Sequence, residues 1–94
     1  MKITAQQARL KKLRMRSWRR GMKEMDLILG PFADSSLTDL SVTALQDYEA
    51  LLDENDQDLY LWVTGARPCP PHLLPMLEQI ARASGLKPAA SQSE

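Results

Sequence analysis

Few residues in this 94-residue chain have types and spacing suited to chemistry. The most pointed group is Arg20-Gly21-Met22-Lys23-Glu24. On a helix, Arg20 and Glu24 stand four apart and share one face. As an intrahelical ion pair they are poorly ordered, since arginine before glutamate is the weaker direction. Even a well-placed pair contributes only about 0.2–0.5 kcal/mol. A glycine between them costs a helix about 1 kcal/mol relative to alanine. The segment is therefore not tuned for helix stability. A missing side chain flanked by two charges makes a flat spot that another backbone can approach closely. This reads as a contact surface. Arg20 would pair with a partner's carboxylate or carbonyls, and Glu24 would accept hydrogen bonds or hold Arg20. Arg19 and Lys23 would add steering. The competing reading of these charges is a solvated helix face.

Other chemistries have less support. Cys69 and His72 are the one Cys/His pair, three apart in a proline-rich stretch. Two ligands do not make a metal site. Nothing nearby orients His72 as a base or supplies an oxyanion hole. The four glycines, at 21, 30, 65 and 85, are scattered and form no phosphate-cradling loop. No catalytic, metal-binding or cofactor-binding residue is assigned.

The elements that must position the motif are helical. Sustained strand alternation is absent, and apolar residues recur at helical spacing. Thr4 can cap a helix over residues 5–15, with Leu10 and Leu13 on one face. Ser17 can cap a second, whose stripe is Trp18, Met22, Met25 and Leu29, widened by Ile28 and Phe32. Pro31 cannot donate to the carbonyl of Leu27, yet Phe32 keeps the phase. A bend is expected there, with helix continuing to about Asp34. Ser41 opens a third helix carrying Leu45, Tyr48, Leu51 and Leu52. Asn55 and Asp56 can cap a fourth with Leu59, Tyr60, Trp62 and Val63, stopped by Gly65. A last helix holds Leu73, Leu77, Ile80 and Ala81, with Pro75 in its first turn and Gly85 as its stop. Trp18, Tyr48, Tyr60 and Trp62 read as core or rim. The expectation is one all-α domain over residues 1–85, a compact bundle of about five short helices. Residues 86–94 are expected to be a disordered tail.

Composition sets the outer bounds. Hydrophobic residues make up 44% and charged residues 26%, ordinary for a globular domain. The length leaves no room for a barrel or a doubly wound dinucleotide fold. No run of 18 apolar residues exists, so no membrane insertion is expected. One cysteine cannot form an internal disulfide, which favours a reducing compartment. Net charge is zero but polarised: residues 1–23 carry +9 and residues 24–94 carry −9. Such polarity points to a partner surface or to an internal match between the two ends. The basic, acid-free start could serve as a transit peptide. It runs without a break into a patterned segment, so it is read as part of the mature protein.

The motif and its surroundings resemble a known family. Arg20-Gly21-x-x-Glu24, followed by Met25-Asp26-Leu27, resembles the RGxxE signature of the SdhE family of succinate dehydrogenase FAD assembly factors. Leu29-Gly30-Pro31-Phe32, Leu40-Ser41 and the acidic run Asp53–Asp58 before Leu59-Tyr60-Leu61-Trp62 follow in the family's order. The resemblance covers about residues 9–82. Pro70, Pro71 and Pro75 depart from the family pattern and leave the start of the last helix open.

The resemblance implies a five-helix protein that is not an enzyme. It would bind the flavoprotein subunit of succinate dehydrogenase, or of fumarate reductase, and promote covalent attachment of FAD to a histidine there. The partner-binding residues would be Arg20, Gly21 and Glu24, with Arg19 and Lys23. FAD would not be held stably by this chain, and no nucleic acid would be bound. A bacterial, cytoplasmic setting is expected from the few residues before the motif. The alternatives are a regulatory or antitoxin-like interaction protein and, further off, a nucleic-acid binder using the basic helix.

Overall fold

The structure is a computed structural model that describes residues 4–86. It contains five α-helices, two 3-10 turns and, among the described residues, no strand. The all-α expectation holds. The expected tail falls almost wholly on residues 87–94, outside the described residues.

Helix α1 spans Ala5–Trp18. Thr4 caps it as expected, through a capping box in which the Thr4 hydroxyl accepts from Gln7 N–H and the Gln7 side chain accepts from Thr4 N–H. Helix α2 spans Lys23–Ser36. The two helices run antiparallel, since Trp18 meets Gly30 while Arg14, one turn earlier, meets Asp34.

Here the sequence expectation needs correction. Ser17 does not open the second helix. It lies inside α1, fully buried, with its hydroxyl donating to Leu13 C=O at 2.8 Å. The physical reason is the partner it finds: Ser17 Oγ also lies 2.6 Å from the Tyr48 hydroxyl of α3. That contact holds the last turn of α1 against the core. Trp18 therefore belongs to α1 rather than to the stripe of α2. Met25, Leu29 and Phe32 of that stripe are buried as expected, and Met22 and Ile28 pack against them.

Pro31 lies within α2, and the helix passes through it to Ser36. A 3-10 turn, Leu37–Asp39, leads into α3, Val42–Leu52. The Ser41 side chain caps α3 on Ala44 N–H. Helix α4, Asp56–Val63, is capped by Asn55 on Gln57 N–H. It ends at Gly65, with φ 88°. Gly65 N–H reaches Trp62 C=O and Ala66 N–H reaches Leu61 C=O, the paired bonds of a Schellman stop. Pro71–Leu73 forms a second 3-10 turn, and α5 spans Leu74–Ala83. Pro75 sits in its first turn, where a missing N–H leaves no bond unmade.

All five helices feed one core. Met25, Leu29, Leu45, Tyr48, Leu51, Leu59, Leu77 and Ile80 are essentially inaccessible. Phe32 and Tyr48 pack ring to ring at 5.5 Å. Tyr60 and Trp62 sit at the rim, while Trp18 is 40% exposed. No buried side-chain polar atom among the described residues lacks a partner.

Two outcomes follow from this packing. A Cβ at Gly30 would fall 2.4–2.6 Å from the Trp18 indole. Overpacking costs about 1–3 kcal/mol, and the helix-propensity gain of about 1 kcal/mol offsets only part of it. Gly30→Ala should therefore lower the melting temperature and shift Trp18 fluorescence, read in a Trp62→Phe background.

Burial raises the Tyr48 pKa to about 12, against the lowering effects of the Ser17 hydrogen bond and the Arg20 and Arg16 charges. The folded value exceeds the unfolded value near 10, so this contribution is complete below pH 10 and is lost as pH rises towards 12. Unfolding free energy should fall by about 2–3 kcal/mol more across that window than in Tyr48→Phe, measured by urea titration.

Candidate functional site

The motif residues do not share a helix face. Arg20, Gly21 and Met22 lie in the connection between α1 and α2, while Lys23 and Glu24 form the first turn of α2. Gly21 is therefore outside any helix, and the expected helix-propensity penalty does not apply to it. The connection has no helical hydrogen bonds of its own at its two central amides. Two carboxylates supply them instead. Arg20 N–H donates to Asp26 Oδ1 at 2.6 Å, and Gly21 N–H donates to Asp56 Oδ2 at 2.8 Å.

The Arg20 side chain also turns inward rather than standing free for a partner. Its Nε donates to Asp56 Oδ1 at 2.6 Å. Its Nη1 donates to Leu52 C=O at 2.8 Å and its Nη2 to Glu54 C=O at 3.0 Å. The side chains of Arg20 and Asp56 are only 10% and 18% exposed. One guanidinium thus closes the end of α3, meets the start of α4 and fixes the motif backbone. A planar fork with donors on three nitrogens suits this task, and a lysine ammonium does not.

What this leaves at the surface is a groove of ≈ 590 Å³. One wall is Gly21, Met22, Lys23 and Glu24, and the other is Asn55, Asp56 and Gln57. Gly21, Lys23 and Glu24 are exposed there. A Cβ on Gly21 would stand 3.7 Å from Asp56 Oδ2, an ordinary contact. The flat spot expected from the sequence is thus present, but in a loop held by carboxylates. Glu24 also borders an adjoining apolar groove that includes Leu27, Ile28, Pro31 and Tyr60. Arg19 is exposed beside the connection.

Much of the charge polarity is resolved internally. Arg9 bonds Glu49 through Nε and Nη2 at 2.9 and 2.8 Å, and Arg16 bonds Asp53 at 2.8 Å. With Arg20 and Asp56 these form a ladder from α1 to the end of α3 and the start of α4. The Arg9 guanidinium holds the Glu49 carboxyl below its usual range. Among the described residues, Lys11, Lys12, Arg19 and Lys23 make no such pair. Elsewhere, Cys69 is buried, which pushes its thiol pKa up, and His72 lies exposed in the second 3-10 turn.

Sequence reasoning missed Asp56 and Asp26 as parts of the site. Asp56 appeared only as a helix cap, because nothing in the spacing links it to a residue 36 positions earlier. The energetic consequence is measurable. Hydrogen bonds to a charged group contribute about 1.5–3 kcal/mol, and Arg20→Ala removes several at once while leaving Asp56 without its counter-ion. Arg20→Ala should lose about 2–3 kcal/mol in a chemical melt. Exposed Lys23→Ala should stay within about 0.5 kcal/mol of the parent.

Comparison with known proteins bears on the whole of this arrangement. Residues 11–84 match the family model Sdh5, described as flavinator of succinate dehydrogenase. The protein named succinate dehydrogenase assembly factor 2, mitochondrial, from Schizosaccharomyces japonicus is 45% identical over 58 residues, 62% of this chain and 41% of that one. Its namesake from Schizosaccharomyces pombe is 40% identical over 63 residues, 67% of this chain and 45% of that one. The Drosophila grimshawi protein of the same name is 40% identical over 65 residues, 67% and 44% of the two chains. The matches thus cover less than half the length of these relatives. They overturn the expectation of a bacterial cytoplasm: the relatives are named as mitochondrial and come from fungi and a fly. From Lys11 in α1 to Ser84 at the end of α5, with the held motif loop between, the chain belongs to the succinate dehydrogenase flavinator family.

Proposed function

We propose that this protein binds the flavoprotein subunit of succinate dehydrogenase, and of fumarate reductase where that enzyme is present, and promotes covalent attachment of FAD to it. The observation that carries this reading is the family match across residues 11–84. The site geometry supports it. The groove presents the Gly21 backbone on a loop held by two carboxylates, beside an exposed ammonium and an exposed carboxylate from the first turn of α2. Such a surface suits docking rather than bond-making. Its contribution is orientation: a partner held in one arrangement brings its own reacting groups to attack geometry without a separate search.

On this reading FAD stays with the flavoprotein, and the present chain is a helper rather than an enzyme. Gly21 lets the partner backbone close on the loop. Glu24 accepts hydrogen bonds from partner donors. Lys23 and Arg19 steer the approach. Arg20 contributes by shaping the loop, its three donor nitrogens being engaged within the fold. The remaining basic side chains of α1 give weak, salt-sensitive attraction to nucleic acid at most.

The test uses purified flavoprotein subunit and FAD, with covalent flavin read by in-gel fluorescence after denaturation. The parent protein should accelerate attachment. Gly21→Ala should fold normally and reduce the effect. Gly21→Leu should melt normally and bring attachment close to the level without the protein, because its side chain fills the mouth of the groove. Full attachment with a normally folded Gly21→Leu would remove this surface from the function.

A further inference from the structure

We infer that Asp56 is a positioning residue for the partner-binding loop, acting through the Gly21 amide and the Arg20 guanidinium. The inference rests on the function proposed above and names what holds its surface in shape. Asp56 lies in α4, outside the motif, yet one of its oxygens accepts Gly21 N–H and the other accepts Arg20 Nε. Both bonds are short, and the pair is largely shielded from solvent.

The geometry makes Asp56 more than a stabilising ion pair. It contributes to one wall of the groove and bonds the other. The distance between the walls is set by this carboxylate. The other ties do not reach α4: Asp26 on Arg20 N–H anchors the loop to its own helix α2, and Arg20 Nη1 and Nη2 reach the Leu52 and Glu54 carbonyls at the end of α3. Without Asp56 the loop remains attached to α2 and, through Arg20, to the end of α3, but Gly21 loses its hold on α4. The half-exposed ion pair Arg9–Glu49, on the same ladder, has no contact with the groove and serves as the internal control.

Asp56→Asn keeps the side-chain volume and one acceptor oxygen but cannot serve both donors or neutralise Arg20. Asp56→Glu keeps the charge and displaces it by one methylene. Each variant would be titrated against purified flavoprotein subunit, at least 15 °C below its melting temperature and with helicity checked by circular dichroism. The readouts are the dissociation constant and the rate of FAD attachment at saturating protein. A positioning role predicts about tenfold weaker binding for Asp56→Asn, with partial recovery in Asp56→Glu. It also predicts little change in the saturated rate, and a loss less than additive with that of Gly21→Leu. Arg9→Ala should bind as the parent does.

Binding of Asp56→Asn within twofold of the parent would overturn the inference and leave Asp56 a purely structural residue. Equal weakening by Arg9→Ala would overturn it too, by tracing the loss to the charge ladder as a whole rather than to Asp56. If Gly21→Leu and Glu24→Ala leave FAD attachment untouched, the surface itself has failed. If they abolish attachment while Asp56→Asn binds the flavoprotein subunit within twofold of the parent, only the role of Asp56 has failed.

Discussion

The Arg20 guanidinium is the interaction on which the rest of this structure depends. It is a largely shielded cation whose desolvation is offset by one carboxylate and two backbone carbonyls. Those acceptors come from the end of α3 and the start of α4, where a chain reversal leaves carbonyls without helical partners. The same carboxylate then takes the amide of the next residue, Gly21. A charge that the fold must satisfy and the backbone of the motif loop are therefore served by one residue, Asp56. Stability and surface shape become hard to separate by mutation at this point.

The two charged halves of the sequence acquire a simple meaning in this light. Arginines at 9, 16 and 20 face acids at 49, 53 and 56. The outer pairs are half-exposed and contribute little to stability, as surface ion pairs generally do. Their likeness in sequence to the inner pair hides a difference in environment: only Arg20 and Asp56 are largely removed from water. Lys11, Lys12 and Lys23 lie outside this ladder and remain available to an approaching acidic surface.

Most of the fold was legible because its signals are local. Thr4, Ser41 and Asn55 cap the helices that follow them, Gly65 and Gly85 end those that precede them, and Met25, Leu29 and Phe32 form a buried stripe. The break between α1 and α2 was misplaced for a reason of the opposite kind. Ser17 reads locally as a cap, but its hydroxyl is claimed by Leu13 and Tyr48, and the tyrosine is 31 residues away. The motif was found by its residue types, and Gly21, Lys23 and Glu24 are exposed. The inward turn of Arg20 was not legible, because its partners lie 32 to 36 positions further along and carry no periodic signature.

The separation between Arg20 and Asp56 also sets an order of events during synthesis. A chain made from its N-terminus presents the arginine and glycine first and the carboxylate that shapes them 36 residues later. At about 5–20 residues per second, the gap is roughly 2–7 s. Through that interval the segment is a basic stretch without its final form. Closing so long a loop has an entropic cost that is recovered only when α3 and α4 have docked. The motif loop thus takes its final shape only after α4 has emerged, and that shape reports that α3 and α4 have docked on α1 and α2.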